Sequence, residues 1–404
     1  MNTMSFSQAA TVLNEIVKQA TGQQTIQPIN TPADFVAVAQ KALLTGYDPV
    51  LNAISQVWSR TIFSSRDYNA PLNSLYMDAP RFGNAVRKLS PVAREMTDDE
   101  RYKYPVAYDA VGHSQNPLGN GESVDMFKIS KQDVQQTNFY GTAVYQQDFT
   151  VFRDQFDAAF SSAEEFGRFN AMMMTERQND RESYKESIAR GLQANYIGSI
   201  LAEGQNDRVI HLLTEYNAQT GLSLTAQTVY QPGNFKPFMS WVYARIRIIA
   251  KLFRNRSNMF QTVIDGKAIL RHTPANKLRI ALYSEAMEQM NALVLADSYH
   301  DAYLKYANYD SVDYWQNIET RDSISIKPVY TGTSGQVVQA SNETEQAGIF
   351  GLIHDVDAIG YSSVNDWSAI SPFNTKGAYW NHTFHSTFKT LQDMTENGVV
   401  LLLD

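Results

Sequence analysis

The residues able to do chemistry are few and scattered. Seven histidines occur, His113, His211, His272, His300, His354, His382 and His385, and there is no cysteine. Two clusters have spacing that could hold a metal: His354 with Asp357, and His382 with His385, each at i and i+3. On a helix that spacing shares a face, and a hydrolytic metal site is the chemistry it would support. Gly348 to Ile353, before His354, reads instead as strand, where i and i+3 point to opposite faces. The bland alternative is polar residues at a strand end and hydrogen-bonded surface histidines. No Gly-Lys-Ser/Thr phosphate loop occurs, and Gly332-Thr333-Ser334-Gly335 lacks the spacing of a nucleophile elbow. The run Met172, Met173 and Met174 reads as core filler.

Composition removes further classes. The chain has 404 residues, 34 basic against 42 acidic side chains, and a net charge of −8. Zero cysteines exclude disulfide scaffolds, thiolate zinc sites and cysteine nucleophiles. A net acidic chain is a poor dedicated nucleic-acid binder, because that affinity comes mainly from Lys and Arg on phosphates. Aromatic residues at 12% against 19% charged argue for wide buried surfaces rather than disorder. Met1 to Lys18 carries no basic residue before Lys18 and does not read as a secretory signal. No apolar run approaches the roughly 20 residues that span a bilayer.

The elements that would position these groups follow from local signals. Residues 1–65 read as three short helices, with Thr31-Pro32 and Asp48-Pro49 as caps before a first-turn proline. Between 66 and 150, five prolines and short strand-like segments (Leu72 to Met77, Tyr104 to Val111, Val124 to Ile129, Phe139 to Tyr145) predict a long β-hairpin. Its tip is Asn116, Pro117, Leu118, Gly119, Asn120 and Gly121, where glycine and asparagine tolerate positive φ. A short helix over Phe152 to Phe160 follows. Ser161 or Ser162 then caps a helix reaching about Leu201, whose middle holds Arg177, Arg181 and Lys185. A polar middle predicts a helix crossing open ground. A second helix over Phe235 to Arg256 has an apolar stripe and a basic face with Arg247, Lys251 and Arg254. That face reads either as solvated or as a contact with nucleic acid or an acidic neighbour. Leu278 to Tyr283, Ile324 to Val329, Ile349 to Ile353 and Val399 to Leu403 read as strands, and Ser284 caps a further helix.

The order of these elements, and the close of the chain above all, resembles the major capsid proteins of tailed bacteriophages. The passages that carry the resemblance are Gly348 to Tyr361, Asn374 to Asn381, His385, and Glu396 to Leu403. Within these, the chain resembles those of short-tailed phages that infect gut bacteria. The resemblance implies an α+β fold of the Hong Kong 97 type. It assigns 1–65 to an N-terminal arm, 66–150 to an extended E-loop hairpin and 151–235 to a peripheral domain with its spine helix. Residues 236–345 become the axial domain, and 346–404 the strands returning to the peripheral domain. It further implies a non-enzymatic subunit without cofactor, assembled as pentamers and hexamers into an icosahedral head around double-stranded DNA. The implied partners are other copies of the chain, a scaffolding protein, a portal, and DNA held without sequence specificity, with no membrane. Its place is the virion, after assembly in the host bacterial cytoplasm. No long N-terminal scaffolding extension is apparent, which points to a separate scaffolding protein. The competing readings are another virion component, such as a portal or tail protein, and a metal-dependent hydrolase.

Overall fold

The structure is a computed structural model. It describes residues 6–21, 29–44, 49–54 apart from 52, 72–77, 86–92, 126–139 apart from 128 and 130, 141–295 apart from 161, 205 and 268, and 309–404. The helices are α1 Phe6–Thr21, α2 Pro32–Leu44, α3 Arg153–Ala159, α4 Ala163–Glu203, α5 Leu212–Thr220, α6 Pro232–Phe253 and α7 Ser284–Leu295. The strands are β1 Val86–Pro91, β2 Val134–Phe139, β3 Thr142–Phe152, β4 Val209–His211, β5 Leu278–Tyr283, β6 Asp310–Val312 and β7 Ile324–Ile326. They continue with β8 Val329–Thr331, β9 Val337–Gln339, β10 Thr344–Gln346, β11 Ile349–Asp355, β12 Ile359–Ile370, β13 Tyr379–Gln392 and β14 Gly398–Leu402.

Two sheets organise the body. A five-stranded mixed sheet has the order β4-β14-β11-β5-β6, with its outer pairs parallel and its inner pairs antiparallel. Both of its faces are covered, so β11 and β14 are buried along their whole length and read as continuous apolar runs. Helices α5, α6 and α7 cover one face through Phe238, Val242, Ile246 and Ile249 of α6 packed on Ile280, Leu282, Phe350 and Val399. The C-terminal half of α4 covers the other, with Tyr196, Ile197 and Ile200 against Leu352, Val400 and Leu402.

The second sheet is three-stranded and antiparallel, in the order β12-β13-β3. One of its ends packs on the N-terminal helices. Phe35 of α2 meets Phe166 of α4 with ring centroids 5.7 Å apart, and Val151, Trp380 and Phe384 close the cluster. The described part of residues 6–54 therefore packs on its own chain.

Local signals explain the boundaries. Ser162 accepts a hydrogen bond from the Glu165 backbone N–H at 3.2 Å, starting α4. Gly204, at φ 69°, ends it in the left-handed conformation that glycine adopts without penalty. Thr31 caps α2, its hydroxyl accepting from the Asp34 N–H at 3.3 Å while the Asp34 carboxylate accepts from the Thr31 N–H at 3.0 Å. Those bonds pull the exposed Asp34 carboxyl below its ordinary value.

Several expectations need correction. Leu72 to Met77 is not a strand: Asn73–Leu75 is a 3-10 turn, and only Tyr76 bridges to Tyr361. Met126 and Phe127, within the expected Val124 to Ile129 strand, lie in a turn. The expected strand from Phe139 to Tyr145 is divided between β2, which ends at Phe139 and pairs with β1, and β3, which begins at Thr142 and pairs with β13. Pro328 splits Ile324 to Val329 into β7 and β8, since proline brings no N–H to a ladder. The expected strand Tyr104 to Val111 and the tip Asn116 to Gly121 lie outside the described residues.

Candidate assembly surfaces

The middle of α4 is the first of the expected sites, and its environment is not open ground. The helix lies over the β12-β13-β3 sheet. The Arg177 guanidinium stacks on the Phe384 ring 3.7 Å from its centroid. Burial, reinforced by the neighbouring Arg181, pulls Arg177 down to about 10. Arg181 pairs with Asp366 of β12 and donates to the Ser363 hydroxyl at 3.2 Å. Lys185 pairs with Glu182 and its ammonium stands 5.9 Å from the centre of the Tyr76 ring. The aliphatic stems of these side chains pack on the sheet while their charges find partners, so a polar segment becomes an interface. One turn further on, Glu186, Arg190 and Gln193 are buried, with Arg190 over the Tyr314 ring at 3.5 Å.

At the end of α4, Arg208 is fully buried. It donates to Glu203 at 2.7 Å, to the Thr262 hydroxyl at 3.0 Å and to the Gly398 carbonyl at 3.1 Å. This group ties the helix terminus to β14, where a Cβ on Gly398 would come within 2.1 Å of the Tyr196 hydroxyl.

The β1-β2 ribbon is a second built feature. Strands β1 and β2 pair antiparallel from Val86↔Phe139 to Pro91↔Val134, closing the connection that spans 92–133. Lys88 of β1 reaches the body, pairing with Asp393 at 2.6 Å and with Glu396. Arg271 joins Glu396 at 3.3 Å and donates to the Ser90 hydroxyl at 2.8 Å. Burial raises the Glu396 carboxyl, and the two cations oppose that rise. The sequence offered no signal for this cluster, because its members lie up to 308 positions apart.

The histidine clusters come apart. His354 is buried in β11, its Nδ1 donating to the Asp355 carbonyl at 2.7 Å, and burial lowers its pKa. Asp357 lies beyond the strand and pairs with Lys277 at 2.7 Å. His382 and His385 lie on opposite faces of β13. His382 stacks on Phe149 with centroids 4.8 Å apart and is held down to about 4 by burial, whereas His385 stacks on Trp367 at 3.9 Å on the outer face. Among the described residues no group of three or more His, Asp or Glu could hold a metal ion. The hydrolase reading therefore loses its site: Asp357 lies beyond the strand that holds His354, and the strand period separates His382 from His385.

The expected basic residues lie on α6. Its apolar stripe is buried, and Arg247, Lys251 and Arg254 are exposed. Arg245 pairs with Glu215 of α5 at 2.7 Å, but Arg247, Lys251 and Arg254 have no ion-pair partner among the described residues. Beside them, Glu215, Gln219, Trp241, Ala244, Arg245 and Ile248 line a groove of about 590 Å³ between α5 and α6. No helix among the described residues is long and apolar enough to cross a membrane.

Comparison with known proteins accounts for this architecture of two sheets bridged by one long helix. A family model described as Phi29-like phage major capsid protein matches residues 13–402. The fold is similar to that in the capsid structure of Staphylococcus phage Andhra, at 11% identity over 85% of this chain and 87% of that one, with a TM-score of 0.53. A second similar chain occurs in the structure of the head fiber and inner core protein gp22 of native bacteriophage P68, at 10% identity over the same shares and a TM-score of 0.52. No curated protein matches in sequence. With an α+β fold shared with phage capsid chains and a family match over nearly its full length, this chain belongs to the Phi29-like phage major capsid proteins, structural subunits of the virion that associate with copies of themselves.

Proposed function

We propose that the chain builds an icosahedral head of pentamers and hexamers around double-stranded DNA, with no catalytic step. The observation that carries this reading is the family match from residue 13 to residue 402. In this reading 1–65 is the N-terminal arm, 66–150 the E-loop, 151–235 and 346–404 the peripheral domain, and 236–345 the axial domain. A separate scaffolding protein and a portal complete the head during assembly in the host bacterial cytoplasm. The DNA is enclosed without sequence-specific contacts, as a net charge of −8 suits.

The hairpin serves as a clamp across the adjacent subunit. Its base is fixed through Lys88 and Arg271, while Leu89 and Val134 on the ribbon remain exposed. A two-stranded ribbon with exposed apolar residues is marginal alone and gains from a neighbouring surface. Electron microscopy of the chain expressed with its neighbouring genes tests the reading, with closed shells expected. A ring with an axial channel would instead indicate a portal. Deletion of Asn116 to Gly121 is expected to leave the subunit folded and to impair shells, since turn tips add little to a core. Unchanged assembly of that deletion would remove the clamp.

A further inference from the structure

We propose that the basic, apolar-lined face between α5 and α6 is a docking surface for the acidic loop 313–322 of a second copy of this chain, so that copies join head to tail. The inference rests on the shell reading and names the contact that would propagate it.

The receiving face has two parts. Trp241, Ala244, Ile248 and Leu252 follow one another along α6 at three- and four-residue steps, and Ile248 and Leu252 are 48% and 37% exposed. Arg247, Lys251 and Arg254 flank this stripe without ion-pair partners among the described residues, in a stretch from Tyr216 to Ile264 that contains no acidic side chain. A solvated helix face has no need of exposed Ile and Leu between its cations. A groove between helices with such a stripe suits a protruding apolar side chain framed by carboxylates.

The chain carries that complement. After β6, Trp315 is buried and its indole N–H donates to the Ile349 carbonyl at 2.9 Å, while its backbone N–H donates to the Arg321 carbonyl at 2.9 Å. These bonds tie the loop to itself and to β11. The loop exposes Ile318, at 66%, together with Asp313, Glu319 and Asp322, which have no ion-pair partner among the described residues, while its one cation, Arg321, faces Glu285 at 3.9 Å. Apolar side chain thus answers apolar stripe, and carboxylates answer cations.

The two surfaces belong to different elements. The five-stranded sheet runs β4-β14-β11-β5-β6. Helix α5 follows the edge strand β4 directly, and the acidic loop follows the opposite edge strand β6 directly. Four strand spacings, about 19 Å, separate those edges. The two surfaces are different parts of the chain, so a contact between them across copies is heterologous, and such contacts close into rings when the rotation between copies allows. Phosphate is the competing occupant of the cations, but it would leave Ile248, Leu252 and Ile318 exposed.

Charge reversal on the full chain decides the matter. R247E/K251E and, separately, E319K/D322K are each expected to lower shell yield at least about tenfold, since like-charge juxtaposition opposes docking. Both pairs combined in one chain should restore assembly, because the complementarity returns with its sign inverted. All these side chains are exposed, so far-UV circular dichroism and Tm should stay unchanged. Normal shells from either single reversal would overturn the proposal. So would a R247E/K251E chain that assembles normally but loses packaged DNA, which would assign the face to nucleic acid. A wild-type chain that forms no higher assembly would sink the shell reading itself, an outcome distinct from indifferent variants of an assembling chain.

Discussion

Helices α4 and α6 carry similar side chains and spend them in opposite ways. Along α4, charged groups in the middle of the helix are drawn into contact: Arg177 on Phe384, Arg181 on Asp366, Arg190 on Glu186 and Tyr314, and Arg208 beyond its end on Glu203. Along α6 the buried face is wholly apolar, and the cations are left at the surface. The number of charges on a helix therefore says little about its exposure. What decides is whether a partner of opposite sign or an aromatic face lies within reach, and for α4 the β12-β13-β3 sheet supplies both. Charges satisfied inside the subunit contribute to its stability. Charges left open on α6 are available to a neighbour.

The sharpest way to break this contrast is at Arg208. Its replacement by Ala strands the Glu203 carboxylate, itself mostly buried, and removes the bridge to Gly398. Loss of one partner of a buried pair costs about 3–5 kcal/mol, which should appear as a large drop in Tm of the unassembled subunit. The double variant R208M/E203M should recover much of that loss, because no charge is left unpaired. An R208A subunit melting like wild type would mean the pair is solvated in practice.

A second test uses pH. His382 is buried against Phe149 and held down to about 4 from its ordinary 6.5, with burial as the cause. The unfolded chain takes up a proton near 6.5 that the folded chain refuses until about 4. Stability should therefore fall as pH drops through that window and level off below it, by at most ~3 kcal/mol. His382→Phe should flatten the dependence across the same range. An unchanged pH profile in that variant would place the titration elsewhere.

Arg181→Ala is expected to act more weakly. The Arg181–Asp366 pair is partly exposed, with side-chain exposures of 32% and 25%. Its removal should cost on the order of 1 kcal/mol after solvent screening. Raised salt should shrink the difference between variant and wild type. An effect as large as that of R208A would mean that α4 is uniformly buried along its length, and the comparison with α6 would lose its gradient.

How much of this was legible beforehand follows the same division. Elements with their own local signals were readable: Ser162 starting α4, Leu278–Tyr283 as a strand, and the apolar stripe of α6. The longest strands, β12 and β13, carry no plain strand signal in the sequence. Their alternation is carried by Trp380, His382 and Phe384 on one face, with polar residues at most other positions. A buried histidine in that series hides the period of two, and its pairing with His385 suggested a metal instead. The polar middle of α4 misled for a related reason: its partners Asp366, Ser363 and Phe384 come from strands about two hundred positions away. The same distance concealed the Lys88, Asp393, Glu396 and Arg271 cluster. The overall architecture emerged from resemblance, while residues held by long-range charge pairing required the fold.

The smallest expected effect on folding tests the other half of the contrast. Replacing Arg247, Lys251 and Arg254 together by Ala should change subunit stability by no more than about 0.5 kcal/mol, as for surface substitutions that break no internal contact. No ion pair among the described residues is lost, and alanine favours the helix. Assembly should nevertheless weaken, and weaken less than with charge reversal, because neutralisation removes attraction without adding repulsion. Tm of the subunit and shell yield, measured on the same preparation, separate the two quantities. A Tm drop as large as the loss of assembly would mean that the α6 cations are satisfied internally like those of α4. An unchanged Tm with reduced assembly would place the cohesion of the shell in the charges that folding leaves unused.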